Sequence, residues 1–192
     1  EEPPQINKTL IALVLASVSL SGCSRAQLTE EETLVKQEWT QLQSHLRQRS
    51  DLVPQIVDAV KGQIPQEQEA IDAVLESTAR LTQAGTTQEA IDAANQQWDA
   101  LARLREVVER HSELKTDEPL KRSMDELADV DREIAIQRMR YNARVQVYDS
   151  TRRTLQGGVT AFVFRFPAHP FFMVPVDPDQ VMTPEPGEID VP

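Results

Sequence analysis

Three charged residues stand where the helical spacing of this chain calls for apolar ones. Arg49 lies three residues after Leu46, Asp131 four after Leu127, and Arg138 seven after Asp131. Such steps remain on one stripe of an amphipathic helix, so all three side chains are expected inside a helical core. An isolated charge there costs on the order of several kcal/mol, which makes pairing of Asp131 with Arg49 or Arg138 the natural solution. That network would fix helix register. The alternative chemistry is recognition, with the arginines lining a slot for an anionic solute or a peptide carboxylate. Hydrolytic or transfer chemistry has weaker support. His45, His111 and His169 lack metal-ligand spacing, and Glu67 with Glu69, or Glu106 with Glu109, read as solvated helix faces. The sequence has no Gly-rich phosphate loop, nucleophile elbow or His-Glu-x-x-His pair. The expectation is a protein without catalytic residues, metal or cofactor, and not an enzyme.

The single cysteine carries a second kind of chemistry. Leu10 to Leu20 is an uncharged apolar run after Lys8, and it stops at Ser21-Gly22-Cys23. The run is about half the ~20 residues that a helix needs to cross hydrocarbon, so it reads as the apolar core of a signal peptide. Leu20-Ser21-Gly22-Cys23 resembles the bacterial lipobox, in which small residues admit the peptidase and the Cys thiol carries lipid. One cysteine also excludes an internal disulfide framework and any zinc site of several thiolates. The expectation is a signal peptide over residues 1–22, a lipidated Cys23 with a spacer to residue 30, and attachment to a membrane on its extracytoplasmic face.

All five phenylalanines fall in one stretch, Phe162, Phe164, Phe166, Phe171 and Phe172. The alternation at 162, 164 and 166 predicts an extended segment showing one aromatic face, either packed on the bundle or presented to a membrane or partner.

These groups need helices to hold them. Gln, Ala, Leu, Arg and Glu are abundant, while the 192 residues include only six glycines. A first helix is predicted from Thr29-Glu30-Glu31-Glu32, with Val35, Trp39, Leu42, Leu46, Val53, Ile56 and Val60 on its stripe and a kink at Pro54. A second runs from about 66 to 83 with Ile71, Val74, Leu75 and Leu81. Thr87 is expected to cap a third over 88–111, with Ile91, Trp98, Leu101, Leu104 and Val108 inward. Pro119 opens a fourth, carrying Leu120, Met124, Leu127, Ile134, Tyr141, Val145 and Tyr148 and ending at Gly157-Gly158. Short connections predict an all-α, antiparallel up-and-down four-helix bundle over residues 31–174 with two long helices. The Pro-rich, acidic residues 175–192 are expected to form a disordered tail. The net charge of −11 argues against nucleic acid as a partner.

Two signatures in order resemble the LemA family. The first is Gln48-Arg49-Ser50-Asp51-Leu52-Val53-Pro54-Gln55-Ile56-Val57 followed by Val60-Lys61-Gly62. The second is Leu114-Lys115, then Asp131-Arg132-Glu133-Ile134-Ala135 with Arg138 and Tyr141-Asn142, and Phe171-Phe172 as the C-terminal aromatic segment. Gln48, Gln55, Asp131 and Asp149 depart from the residues usual in the family, and Leu155-Gln156 stands where Phe-Pro is usual. The resemblance implies a four-helix bundle exposed outside the cytoplasm, attached at its N-terminus, with no established enzymatic activity. Members have been connected with envelope stress and membrane remodelling. The combined expectation is a lipid-tethered interaction or scaffold protein with unidentified envelope or membrane proteins as partners.

Overall fold

The computed structural model describes the backbone of residues 8–174 and the side chains of residues 24–174. The side chains of Leu20, Ser21 and Cys23, the backbone before Lys8 and the predicted tail at 175–192 lie outside the described residues. Within them the chain is all helical: α1 (Lys8–Gln63), α2 (Gln68–Gln83), α3 (Thr87–Arg110), a single turn α4 (Ser112–Lys115), α5 (Glu118–Arg152) and α6 (Leu155–Phe164).

The two long helices α1 and α5 form an antiparallel spine, because their apolar stripes match over most of their length. Leu28, Val35, Leu42, Leu46, Val53, Ile56 and Val60 of α1 are buried with Leu120, Leu127, Ile134, Tyr141, Val145 and Tyr148 of α5. The spine is longer than α2 and α3 can cover. These two make a shorter hairpin that packs at the far half of α1, where Ile71, Val74, Ile91, Leu101 and Leu104 complete the core. Pro54 lies within α1 without ending it. The buried residues on either side of it, Val53, Ile56 and Val57, keep both halves on one stripe.

Local chemistry moves several boundaries from their predicted places. The expected spacer before Thr29 is part of α1. Leu28 is fully buried, and the Thr29 hydroxyl, expected to cap a helix start, donates back to the Arg25 carbonyl at 2.9 Å as an interior helix residue does. Thr86, rather than Thr87, caps α3. Its hydroxyl accepts from Glu89 N–H, and the Glu89 carboxylate accepts from Gly85 and Thr86 N–H at 2.9 and 3.0 Å. This reciprocal capping box holds the Glu89 carboxyl below its usual range. Pro119 stands in the first turn of α5, as the sequence predicts, and Asp117 caps the helix by accepting from Leu120 N–H.

The helix α5 stops at Arg152, and Gly157-Gly158 sit in the first turns of α6 instead of terminating α5. Thr154 caps α6 by accepting from Gly157 N–H at 3.0 Å. The turn between the helices is so close that a Cβ on Gly157 would meet the Thr151 carbonyl oxygen at 2.0 Å. Gly157, Thr160 and Ala161 form the buried side of α6, and their small size lets the helix lie against α1 around Ser24. There Thr160 Oγ1 is 3.2 Å from Ser24 Oγ. Arg165 then adopts the left-handed conformation (φ 57°, ψ 45°) and turns the chain out of α6. Residues 166–174 run back over α5 as an extended strap.

Candidate functional site

The strap is held by side chains that α5 projects at helical spacing. Tyr148 Oη donates to the Pro167 carbonyl at 2.6 Å, and Tyr141 Oη to the Pro170 carbonyl at 2.7 Å. A proline has no N–H, so its carbonyl is the only backbone group there that needs a partner, and each tyrosine supplies it. Burial pushes both phenols up to about 12, which keeps them protonated and donating. Asn142 holds the next residues: its Oδ1 accepts from Phe172 N–H at 2.8 Å and its Nδ2 donates to the Phe172 carbonyl at 3.0 Å. From α3, Asn95 Nδ2 donates to the Met173 carbonyl at 2.9 Å. The strap thereby covers the part of the spine that the α2–α3 hairpin does not reach, and Phe172 fills the junction at 3 % exposure.

The five phenylalanines do not share one extended face. Phe162 and Phe164 belong to α6 and are exposed, Phe166 is half-buried, Phe171 is exposed and Phe172 is buried. The new helix start at Thr154 replaces the predicted alternation with a helical one.

The charged residues on the stripes meet in part. Arg49 is 1 % exposed, its Nε donating to Gln97 Oε1 at 2.9 Å and its Nη2 to the Ala94 carbonyl at 2.9 Å. Its Nη1 lies 3.7 Å from Asp131 Oδ1, ion-pair distance but too long for a hydrogen bond. The other Asp131 oxygen accepts from Arg105 at 3.2 Å. Burial lowers the Arg49 pKa, against the opposing pull of Asp131, and raises that of Asp131, against the opposing pull of Arg49 and Arg105. Arg138 does not join the pair. It is half-buried, its pKa is lowered by burial, and among the described residues no carboxylate lies within ion-pair distance of it.

Gln97 extends the network. Its Nε2 donates to Thr78 Oγ1 at 2.8 Å and Ser50 Oγ at 3.1 Å, so one fully buried amide links α1, α2 and α3. Trp98, expected inward from the sequence, is 39 % exposed. The signal was present: Ala94, Gln97, Leu101 and Leu104 keep the 3-4-3 spacing, whereas Trp98 lies one position off it. Arg105 carried no comparable signal, because its side chain reaches Asp131 from the margin of the stripe.

These groups border a groove of about 600 Å³ between α3, α5 and the strap, lined by Arg49, Trp98, Arg103, Asp131, Arg138 and Phe172 among others. Its walls combine arginine and carboxylate with an indole. Such a surface can recognise a polar or anionic group, but it sets no nucleophile against a base. Among the described residues no cluster of three His, Cys, Asp or Glu side chains could hold a metal ion, and no helix is long and apolar enough to cross a membrane.

No curated protein matches the sequence significantly. A family model, that of the LemA family, matches residues 38–185. The match takes in the Arg49–Asp131 pair, the tyrosines and Asn142 that hold the strap, and the strap itself. A chain matched over this span, with an all-helical bundle beneath it, belongs to the LemA family of helical, envelope-associated proteins.

Proposed function

We propose that this protein is a lipid-tethered interaction or scaffold protein of the cell envelope, anchored through Cys23 and without enzymatic activity. The observation that carries the reading is the continuity of α1. The apolar run Leu10–Leu20, the lipobox-like Leu20-Ser21-Gly22-Cys23 and the core stripe beginning at Leu28 lie along one helix. Cleavage before Cys23 would leave the lipid-bearing residue at the foot of the spine. The anchor would then sit at one end of the spine and the α2–α3 hairpin toward the other, open to envelope partners. The buried Arg49 network supports a structural role for the charges, since the guanidinium already has protein partners on two other helices, α3 and α5.

The test is the intact mass of the protein extracted from membranes, for the wild type and Cys23→Ala. A wild type starting at Cys23 with added acyl mass, and a variant left unprocessed, are the expected results. A wild type lacking acyl mass would overturn the tether.

A second reading, an anionic-solute or peptide receptor, is favoured by one feature, the half-buried Arg138 in the groove, which has no carboxylate within ion-pair distance among the described residues. It requires an anion that raises the melting temperature of the wild type and fails to do so for a folded Arg138→Met variant.

A further inference from the structure

The two most exposed large apolar side chains among the described residues both lie on α6. Leu155 is 88 % exposed, Phe162 87 %, and Val159 and Val163 62 % each. Their spacing, i, i+4, i+7 and i+8, places them on one stripe, opposite the buried Gly157, Thr160 and Ala161. A helix that uses its small residues for packing and turns its large ones outward has the reverse of the ordinary arrangement. Burial of the outer face requires something outside this bundle.

Charge and position identify the occupant. The ten residues of α6 carry no charge at all, in a chain of net charge −11. Arg152 and Arg153, which share the Asp149 carboxylate, precede the helix, Arg165 follows it, and the Arg25 guanidinium of α1 lies 4.5 Å from the Phe164 ring centroid. Arg152 and Arg165 border an open depression that also exposes Phe162 and Val163. An uncharged apolar face bordered by arginines is the pattern of a helix lying in a membrane interface, with its apolar side among the acyl chains and its cations at the phosphates. The contact between Thr160 and Ser24 sets this helix beside the residue that follows Cys23.

We infer that α6 is a second membrane contact: its Leu155, Val159, Phe162 and Val163 face enters the surface of a bilayer containing anionic lipid, next to the anchor. This rests on the tethered reading above and adds to it. A lipid on Cys23 alone would leave the spine free to tilt. Anchor and α6 together make two points of attachment and fix how the bundle stands.

The experiment uses full-length protein purified from membranes and incorporated into liposomes of phosphatidylcholine and phosphatidylglycerol, with and without bromine on the acyl chains. Phe162→Trp adds a fluorophore at the face, and Lys115→Trp adds one at the opposite end of the spine. Both sites are exposed, so folding is checked by circular dichroism. Flotation of all proteins, with bromine-dependent quenching of the added signal at 162 by about half and little at 115, is the expected result. Flotation without added quenching at 162 overturns the α6 contact and leaves the tether standing. Failure to float overturns the tether and this inference with it. A floated protein whose position 162 is shielded by self-association, seen as a dimer in detergent-free cross-linking and no quenching, also overturns the lipid contact.

Discussion

The side chain of Asn142 pairs with both backbone groups of Phe172, accepting from its N–H at 2.8 Å and donating to its carbonyl at 3.0 Å. One amide therefore does for the strap what a neighbouring β-strand would do, and it does so from the surface of a helix. The two residues are 30 positions apart in sequence, and both fall within the segments that resemble the family signature. Their pairing gives that pattern a physical meaning: Tyr141, Asn142 and Tyr148 are the fasteners, and the residues around Phe172 are what they fasten.

Asn142→Ala should release the strap without unfolding the spine. It removes two hydrogen bonds and leaves the Phe172 amide and carbonyl short of partners, a loss of about 1–3 kcal/mol. The expected outcome in urea denaturation is a lower midpoint with an unchanged far-ultraviolet circular dichroism spectrum. Limited proteolysis should cut faster within 166–174 than elsewhere. Equal protection of the strap in wild type and variant would show that Phe172 is held by burial alone. Asn142→Asp separates the two bonds, since a carboxylate accepts from Phe172 N–H but cannot donate to its carbonyl.

The buried pair of Arg49 and Asp131 makes a second prediction through non-additivity. Asp131→Asn keeps the shape but leaves a guanidinium at 1 % exposure without its counter-charge, a situation that destabilises by roughly 3–5 kcal/mol. The 3.7 Å separation and the partial access of Arg105 place this case at the lower end. Arg49→Met also destabilises, because Gln97 Oε1 and the Ala94 carbonyl lose their donor. The double variant Arg49→Met with Asp131→Asn should be less damaged than the sum of the single ones by more than about 1 kcal/mol, read from denaturation midpoints at constant slope. Strict additivity would mean that the two charges do not interact.

How much of this was legible in the sequence follows the range of each interaction. The stripes of α1 and α5 are periodic over long stretches, so the spine, Arg49 and Asp131 could be read from spacing alone. The pairing itself followed from the cost of burying a charge, although the choice between Arg49 and Arg138 did not. That choice depends on where α3 brings Gln97 and Arg105, which is tertiary information. The boundary after Arg152 failed for a local reason: Gly157-Gly158 carries the signature of a helix end, and it serves instead as a point of close approach at a helix start. The strap was visible as a cluster of phenylalanines. Its partners were not, because hydrogen bonds from Tyr141, Asn142 and Tyr148 to backbone groups some 19 to 30 residues away leave no periodic trace.

The strap should also respond to pH through His169. Its ring packs edge-on against Tyr148 with centroids 5.2 Å apart, and its Nε2 lies 3.9 Å from a Glu32 oxygen, with no hydrogen-bond partner among the described residues. Burial lowers the pKa from its ordinary value of 6.5; Glu32 pulls it up, and Lys36 and Arg152 push it further down. The folded state therefore binds this proton less readily than the unfolded chain does. Stability rises with pH wherever the unfolded chain holds more protons, so the contribution of neutral His169 is complete above about pH 6.5 and is lost as the pH falls through the lower folded value. The expected outcome is a wild-type melting temperature that drops more between pH 7.5 and 5 than that of His169→Gln, each measured at about 0.15 M salt. The difference should begin close to the ordinary histidine range and grow toward acid, with hydrogen exchange rising first at the amides of residues 166–174. Identical pH profiles for the two proteins would show that the strap tolerates a charged ring, with Glu32 near enough to neutralise it.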